Sequence, residues 1–261
     1  MPLDIQDKTV LITGGGSGIG RAAALEFAAL GARVAVVTGH NAAAGEETVR
    51  LIENRGGRGA YFPCDVTREE QVEATVAAVV ERFGGLDCAF NNAGVGPDGV
   101  RIPYGPLTGL SEALWDRVMN VNLKGTFLCL KHELLQMEKQ GGGAIVNNAS
   151  IGALKMAPGF GAYGPSKAGV VALTRLAALE NARAGIRVNV VCPGPTSDTG
   201  LMANTLSADP GEADNLRRHV IPMGKLGTAL DVARAVVWLC SGMSGHITGQ
   251  SVSVDGGMHI A

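Results

Sequence analysis

Short runs of β-branched and other apolar residues alternate with longer stretches in which apolar residues recur every three or four positions. The short runs predict strands, and the longer stretches predict helices with one buried face. Seven strands are predicted, at residues 9–13, 34–38, 59–63, 86–90, 144–149, 187–192 and 251–254. The predicted helices cover residues 19–30, 42–54, 69–83, 112–139, 163–184 and 229–240.

This alternation is typical of right-handed strand–helix–strand crossovers, which build a parallel sheet with helices on both faces. The sequence therefore predicts an α/β fold of the doubly wound, Rossmann type, with about seven strands in a single domain that spans residues 1–261. Two stretches look irregular, 95–110 and 193–219. Because long loops in compact domains are usually functional, we expect residues from about 195 to 219 to form a substrate loop.

The composition suits a large buried core and narrows the range of partners. Hydrophobic residues make up 46% of the chain and the mean hydropathy is +0.18, as expected for a sheet buried on both faces. The net charge is −2 and no run of lysine or arginine stands out, so we expect neither nucleic acid nor a membrane as a partner. No apolar run reaches the ~18 residues of a membrane-spanning helix. The N-terminus has no signal-peptide pattern.

The cysteines and histidines show no spacing typical of metal ligands. The five cysteines are odd in number and scattered, and no CxxC pair occurs. This pattern argues against a disulfide framework or a zinc site and predicts reduced thiols in a cytoplasmic protein. The five histidines are equally dispersed, so we expect no metal site.

A glycine-rich segment, residues 13–20 with the sequence TGGGSGIG, follows the first predicted strand and opens the first predicted helix. Glycines in such a turn let the backbone approach a pyrophosphate, which then binds at the positive N-terminus of the helix. The strand–turn–helix order favours a dinucleotide site over a plain turn. The residues assigned to this site are Gly14, Ser17, Gly18, Ile19 and Gly20.

Tyr163 and Lys167 stand four residues apart in a predicted helix, so their side chains share one face. A free tyrosine has a pKa near ~10 and is a poor acid or base at neutral pH. We expect the Lys167 ammonium to lower the pKa of Tyr163, and the hydroxyl of Ser150 to hold a substrate oxygen beside it. The alternative is a half-buried core tyrosine with an exposed lysine.

The glycine spacing G-x-x-x-G-x-G resembles that of the short-chain dehydrogenase/reductase family, and the resemblance covers nearly the whole chain. The remaining motifs follow in the family's order: NNAG at 91–94, Ser150, Y-x-x-S-K at 163–167, PG at 193–194 and DGG at 255–257. The resemblance implies an oxidoreductase that moves a hydride between NAD(P) and a secondary alcohol or ketone, with Tyr163 as general acid/base. It adds Asn122, which would hold a water that links the lysine to solvent.

The resemblance also assigns further residues to the dinucleotide. Asp65 and Val66 would meet the adenine, although Asp65 could instead cap the helix that follows. Thr199 would touch the nicotinamide carboxamide, and Thr196 is a rival because this segment seems one residue longer than usual. The complete dinucleotide set adds Asn91, Ala93, Gly94, Tyr163, Lys167, Pro193 and Gly194.

The end of the second predicted strand bears on the choice between NAD and NADP. NAD-preferring relatives carry a carboxylate there that binds the ribose hydroxyls, but this chain has Thr38. NADP-preferring relatives often supply an arginine, but here only His40 is near. We expect the Thr38 hydroxyl and His40 to meet a 2′-phosphate, and we predict use of both cofactors with a lean to NADP.

The substrate itself is not named by the sequence. Apolar side chains near the expected site favour a small or medium hydrophobic alcohol or ketone. A 3-oxoacyl-thioester reductase, a dehydrogenase of cyclic or steroid-like alcohols and a non-catalytic dinucleotide sensor remain as alternatives. The resemblance further implies a homotetramer. The predicted walls of the substrate pocket are Leu154, Met156, Phe160, Met202 and Leu206.

Overall fold

The computed structural model describes residues 3–98, 102–209 and 211–261, and the described residues contain one seven-stranded sheet. Every pairing is parallel, in the order β3-β2-β1-β4-β5-β6-β7. The predicted doubly wound α/β fold is thereby confirmed. The strands are β1 Thr9–Thr13, β2 Arg33–Thr38, β3 Arg58–Pro63, β4 Cys88–Asn91, β5 Gly143–Asn148, β6 Ile186–Pro193 and β7 Ser251–Val254.

The helices cover both faces of this sheet. They are α1 Gly18–Ala29, α2 Ala42–Glu53, α3 Glu69–Phe83, α4 Glu112–Met119, α5 Gly125–Gln140, α6 Tyr163–Asn181, α7 Gly200–Ala208, α8 Glu212–Asn215 and α9 Ala229–Cys240. None of the helices in the described part of the chain is long and apolar enough to span a membrane.

The helices depart from the sequence prediction at two places. The helix predicted at 112–139 is interrupted by a π-helical turn, Asn120–Lys124, which separates α4 from α5. The stretch predicted to be irregular, 193–219, contains α7, α8 and a second π-helical turn. The segment that forms α7 has no clear apolar stripe, and Thr199 marks its start by accepting a hydrogen bond from the Met202 N–H.

The core consists of two apolar layers, one on each face of the sheet. Val10 and Ile12 of β1 face α1 and α9, whereas Leu11 between them faces α3 and α5. The whole of β1 is buried, in keeping with the apolar run of its three central residues, Val10, Leu11 and Ile12. Since all strands are parallel, their carboxyl ends meet at one edge of the sheet. Strands β2 and β3 are added on one side of β1, and β4 to β7 are added on its other side, so the order of the strands reverses between β1 and β4. Ligands of doubly wound folds bind in the crevice at that point.

Candidate active site

The turn between β1 and α1 lies at this crevice and is built for close backbone approach. Gly14 and Gly18 have φ of +66° and +48°, which disfavours any residue with a Cβ. A Cβ on Gly20 would lie 2.2 Å from the Gly14 carbonyl oxygen. Ser17 at the N-cap makes no side-chain capping bond within the described chain, and the first turn of α1 carries no acidic residue. The helix N-terminus therefore offers N–H groups to an anion.

A cavity of about 310 Å³ opens beside this turn, and most of the residues predicted to contact the adenosine half of a dinucleotide line it. Sequence reasoning did not identify Arg117 and Val121, which also line it. The two stand four residues apart just before Asn122, and that helical spacing is the signal that would have found them. The predicted residues that line the cavity are Gly14, Ser17, Thr38, His40, Asp65, Val66, Ala93 and Gly94.

The hydroxyl of Thr38 is not directed into this cavity, contrary to our expectation. Thr38 is buried, and its Oγ1 donates to the Asn41 carbonyl oxygen at 2.9 Å and lies 3.2 Å from the Tyr61 hydroxyl. The reason is local, because Asn41 is the N-cap of α2 and turns its carbonyl back toward β2. The exposed side chains at this end of the cavity include those of His40 and Asn41.

Asp65 organises the turn before α3 rather than capping the helix. Its Oδ1 accepts the Thr67 N–H at 3.0 Å and the Thr67 hydroxyl at 2.8 Å, while the N-cap position belongs to Arg68. Burial acts to raise the pKa of Asp65, but the bonds from Thr67 and the positive charges of His40 and Arg68 outweigh it and lower the pKa. Asp65 therefore presents an ionised carboxylate near the cavity.

The two asparagine side chains of the NNAG segment, Asn91 and Asn92, point in different directions, one into the core and one toward the glycine turn. The Asn91 side chain points into the core, where Nδ2 donates to Glu133 at 2.8 Å and to Asn147 at 3.0 Å, so the expected contact of Asn91 with the dinucleotide is replaced by an internal one. Asn92, which we had not assigned to the site, donates from Nδ2 to the carbonyl oxygens of Thr13 and Gly14 at 3.1 and 3.3 Å. Asn92 thus ties the loop after β4 to the glycine turn.

Ser150, Tyr163 and Lys167 converge at the carboxyl end of β5. Ser150 follows β5 and accepts the Gly152 N–H at 3.0 Å, and its hydroxyl lies near enough to the Tyr163 hydroxyl to act against the rise in the tyrosine pKa. Tyr163 begins α6, and Lys167 lies one turn further along the same face. The Lys167 ammonium is buried, donates to the Asn148 carbonyl oxygen at 2.7 Å and lies 5.9 Å from the centre of the Tyr163 ring.

The electrostatics of this trio differ from our expectation. Burial raises the pKa of Tyr163, and the hydrogen bond from Ser150 offsets this only in part. Burial therefore dominates over the Lys167 ammonium, which lies 5.9 Å from the centre of the ring and whose own pKa burial lowers to about 8. Tyr163 is therefore a neutral phenol at pH 7, in the protonation state of a proton donor.

Asn122 is fully buried in the π-helical turn and ties the loop after β4 to α6. Its Oδ1 accepts the Val95 N–H at 2.8 Å, and its Nδ2 donates to the Val95 carbonyl oxygen at 2.8 Å and to Ser166 at 3.0 Å. A Cβ on Gly94 would lie 3.2 Å from Asn122 Oδ1 and 3.3 Å from Lys167 Nζ. Single π-helical turns are frequent at functional sites. The water that Asn122 would hold stays a prediction.

Thr196 and Thr199, the two candidates for the contact with the nicotinamide carboxamide, have different surroundings in the segment after β6. Thr196 is buried and donates to the Gly194 carbonyl oxygen at 3.0 Å. Thr199 caps α7, and its methyl group lies against Gly18 of the glycine turn, 3.5 Å from where a Cβ would stand. Gly194 packs closely on Asp255, since a Cβ built on Gly194 would lie 2.9 Å from the Cα of Asp255. Thr199 is thus the threonine beside the glycine turn.

On the substrate side, aromatic and apolar side chains surround Tyr163. The Phe160 ring meets the Tyr163 ring edge-on at 6.1 Å, and the Tyr104 ring lies 6.2 Å from Phe160. The Tyr104 hydroxyl lies 3.1 Å from the Thr205 hydroxyl of α7. A Cβ on Gly96 would touch both Tyr163 and Leu201, at 3.2 and 3.3 Å, which places Leu201 close to the tyrosine.

The other predicted pocket residues are less clearly grouped around Tyr163. Leu154 and Met156 are 39% and 56% exposed, and Met156 packs against Gly164 at the start of α6. Met202 and Leu206 are half-buried on α7, where sequence reasoning missed the neighbouring Leu201. The direction of α7 could not be read from the sequence, so the residue that faces Tyr163 could not be chosen.

The five cysteines are all buried as free thiols. Across the described ranges, His, Cys, Asp and Glu side chains form no cluster of three or more suited to a metal ion.

Comparisons with known proteins agree with this geometry. The family profile described as "Enoyl-(Acyl carrier protein) reductase" matches residues 14–259. The chain is 40% identical to the 2,5-dichloro-2,5-cyclohexadiene-1,4-diol dehydrogenase of Sphingobium indicum, over 97% of this chain and 98% of that protein. It is 38% identical to the 3beta-hydroxysteroid dehydrogenase 1 of Eggerthella lenta, over 98% of this chain and 95% of that protein.

The solved structure of levodione reductase is also similar, with a TM-score of 0.89 and 36% identity over 98% of this chain and 99% of that chain. The similarity therefore extends along nearly the whole chain, both in sequence and in fold. The protein is therefore an oxidoreductase that belongs to the short-chain dehydrogenase/reductase family.

Proposed function

We propose that the protein is an NAD(P)-dependent dehydrogenase or reductase that interconverts a secondary alcohol and a ketone. The observation that carries the proposal is the convergence of Ser150, Tyr163 and Lys167 beside a glycine-lined cavity. A dinucleotide sensor would need the glycines but not this acid/base set, which favours the enzyme over a binding protein.

The residues of the cavity fit the cofactor. Gly14 and Gly18 shape the turn for a pyrophosphate, and the unopposed N-terminus of α1 favours its charge. Lys167 Nζ approaches Gly94, a position from which the ammonium would bind ribose hydroxyls. When bound, the nicotinamide supplies or accepts the hydride.

The protein's own part in the reaction is to position the substrate and move one proton. The Ser150 hydroxyl would hold the substrate oxygen, and the neutral Tyr163 phenol would donate a proton to that oxygen during reduction. In oxidation Tyr163 must first lose its proton, which its raised pKa opposes. Oxidation should therefore accelerate as the pH rises, whereas reduction should slow only as the pH approaches the pKa of the tyrosine.

We further propose that the substrate is a cyclic secondary alcohol or the matching ketone. The rings of Phe160 and Tyr104 and the side chain of Leu201 form an apolar rim beside Tyr163, which suits the flat face of a hydrophobic ring. The names of two relatives, a cyclohexadienediol dehydrogenase and a hydroxysteroid dehydrogenase, support the same class.

The test is a panel of cyclic and open-chain alcohols, ketones and 3-oxoacyl thioesters, followed by NAD(P)H absorbance in both directions. The proposal expects the highest kcat/KM for a cyclic substrate. A preference for acyl thioesters would instead favour a reductase of the kind that the family profile's description names. Tight dinucleotide binding without turnover of any substrate would favour the sensor.

The choice of cofactor gives a separate prediction, in which we propose use of both cofactors with a lean to NADP. Thr38→Asp places a carboxylate at the end of β2, where it would repel a 2′-phosphate and accept from the ribose hydroxyls of NAD. An unpaired charge of this kind costs on the order of 1–3 kcal/mol, so the ratio of kcat/KM for NADPH to that for NADH should fall by about fivefold or more.

Thr38→Asn is the matched control, because it has the shape of aspartate without the charge, and it should shift that ratio much less. Both variants replace the hydroxyl that donates to the Asn41 carbonyl oxygen. Only the asparagine amide can donate there in its place, so the Tm of both variants is measured as well to separate a loss of local structure from the effect of charge. A parent enzyme that already prefers NADH by more than about tenfold would contradict our interpretation of Thr38.

The proposed homotetramer is supported by apolar side chains that α5 and α6 leave exposed. On α6, Leu176 and Leu179 are 52% and 81% exposed, and on α5, Phe127 and Leu135 are each 46% exposed. Leu179→Glu should dissociate the assembly into smaller species in sedimentation at micromolar concentration, because it would bury a charge at the contact. Met243→Glu, also at an exposed apolar residue but outside these helices, is the control and should leave the mass unchanged.

A parent protein that sediments as a monomer would contradict the proposed assembly. The five unpaired cysteines support our accompanying proposal that the enzyme acts in the reducing cytoplasm.

A further inference from the structure

One acidic side chain lies wholly inside the core. Glu133 of α5 is 0% exposed, and its Oε2 accepts a hydrogen bond from Asn91 Nδ2 at 2.8 Å. The same amide group donates to Asn147 Oδ1 at 3.0 Å, and Asn147 in turn donates to the Thr174 hydroxyl at 2.9 Å. A chain of polar side chains therefore runs from α5 across β4 and β5 to α6.

This polar chain is one donor short. Within the described parts of the chain, Glu133 Oε1 and Asn91 Oδ1 are both buried without a hydrogen-bond partner, and both act as acceptors when Glu133 is ionised. A buried carboxylate with one hydrogen bond and no cation is expensive. A proton on the Glu133 carboxyl group supplies the missing donor and removes the charge.

Among the described residues, no positive charge contributes to the pKa shift of Glu133, whose causes are burial and the bond from Asn91. The titratable neighbours are thiols, Cys129 one turn earlier on α5 and Cys64 beyond it, and burial raises the pKa of both. From β4, β5 and α6 the facing groups are Asn91, Asn147 and Thr174, which do not titrate. Burial, opposed by the bond from Asn91, raises the pKa of Glu133 to about 7.

Asn91 connects this buried acid to the dinucleotide cavity. It is the last residue of β4, and the next residue, Asn92, holds the carbonyl oxygens of Thr13 and Gly14. Ala93 and Gly94, which follow, line the cavity. A shift of the Asn91 side chain has only two or three residues of backbone to cross before it reaches the wall of the cofactor site.

We propose that Glu133, as a neutral carboxylic acid, is a positioning residue for the dinucleotide site, because it anchors Asn91 and with it the turn of Asn92, Ala93 and Gly94. The proposal rests on the proposed dinucleotide-dependent function. Ionisation of Glu133 breaks the pattern of donors and acceptors and loosens the turn, so dinucleotide affinity falls as the pH rises through neutrality.

The sign of the effect on stability follows from the same proton. In the unfolded chain a glutamate titrates near its ordinary pKa of 4.5, whereas in the folded protein Glu133 titrates at about 7. The folded state therefore binds more protons between these values. The contribution of this group to stability is fully present below about pH 4.5 and is lost as the pH rises through about 7.

Glu133→Gln tests the proposal, since the amide keeps the size of the side chain, can donate a hydrogen bond and carries no charge at any pH. We would measure the Kd for NADPH by fluorescence and the Tm from about pH 6 to about pH 8.5, a range that brackets the titration. The ratio of parent Kd to variant Kd should rise by about threefold or more across this range, and the Tm of the parent should fall relative to that of the variant.

The control is Glu138→Gln, which removes an exposed charge from the same helix. The ratio of the parent Kd to the Kd of Glu138→Gln should stay constant across this pH range. The difference in Tm between these two proteins should also stay constant. Lys167 and the cofactor phosphates titrate alike in all three proteins and cancel in the ratios.

If the ratio of the parent Kd for NADPH to that of Glu133→Gln does not change with pH, this inference alone is overturned. A change confined to the Tm would also overturn it, because Glu133 would then be only structural. A parent that binds neither NADPH nor NADH would overturn the proposed function together with this inference. If the variant fails to fold, infrared spectra of the parent decide: a band of a protonated buried carboxyl at pH 6 must disappear by about pH 8.5, and its absence would overturn the proposal.

Discussion

Replacing Tyr163 by phenylalanine is expected to lower turnover by about 100-fold or more while dinucleotide affinity stays within about twofold. The substitution removes only the phenolic oxygen, which is the group beside Ser150. The ring keeps its contact with Phe160, so the fold around it should not change. The measurements are kcat from NAD(P)H absorbance and Kd from fluorescence titration.

Tyr104→Phe is the matched control for this prediction. It also removes one phenolic oxygen from the aromatic rim, but that oxygen bonds Thr205 of α7 rather than Ser150. We expect its kcat to stay within about threefold of the parent, the range for one exposed hydrogen bond, with any larger effect in KM. Full turnover by Tyr163→Phe would show that another group moves the proton.

Gly20→Ala is expected to weaken dinucleotide binding by about 100-fold or more, which corresponds to about 2.7 kcal/mol. The added methyl group would lie 2.2 Å from the Gly14 carbonyl oxygen and 2.6 Å from Asn92 Nδ2. Neither atom is at the end of a flexible side chain, since Asn92 is itself bonded to Thr13 and Gly14. The glycine turn must therefore move away from the position that holds a pyrophosphate.

Gly200→Ala is the control, because Gly200 also lies in the first turn of a helix, α7, and a Cβ there would meet no atom within 4 Å. It should leave both the Kd and the Tm close to those of the parent. For Gly20→Ala we expect the Tm to fall as well, because overpacking lowers the free energy of unfolding by about 1–3 kcal/mol. Undiminished dinucleotide binding by a folded Gly20→Ala protein would remove the glycine turn from the binding site.

The amino-acid sequence by itself predicted the architecture and most of the elements, and the acid/base trio that we propose was also named from the sequence. These features depend on local properties. A strand buried on both faces favours an uninterrupted apolar run, as in the centre of β1, and an amphipathic helix must repeat with its own period. The glycine turn needs residues without a Cβ, and Tyr163 and Lys167 share a face wherever their helix lies.

The tertiary structure alone decided which of several candidate side chains faces the crevice. Asn91 and Asn92 are adjacent and chemically identical, yet Asn91 turns into the core and Asn92 toward the glycine turn. Their directions are set by the pairing of β4 with β1 and β5, strands that are distant in the sequence. Leu201 faces Tyr163 for a similar reason, because the placement of α7 depends on its packing.

Protonation states also depended on the tertiary structure, because desolvation and hydrogen-bond partners come from segments far apart in the chain. Tyr163 has a raised pKa despite the lysine four residues later, since burial dominates and the ammonium lies 5.9 Å from the ring. Glu133 reads in the sequence as an ordinary charge on an amphipathic helix. Only the packing of α5 against β4 makes it a buried acid, because that packing removes water from its carboxyl group and leaves a single donor, Asn91, within the described chain.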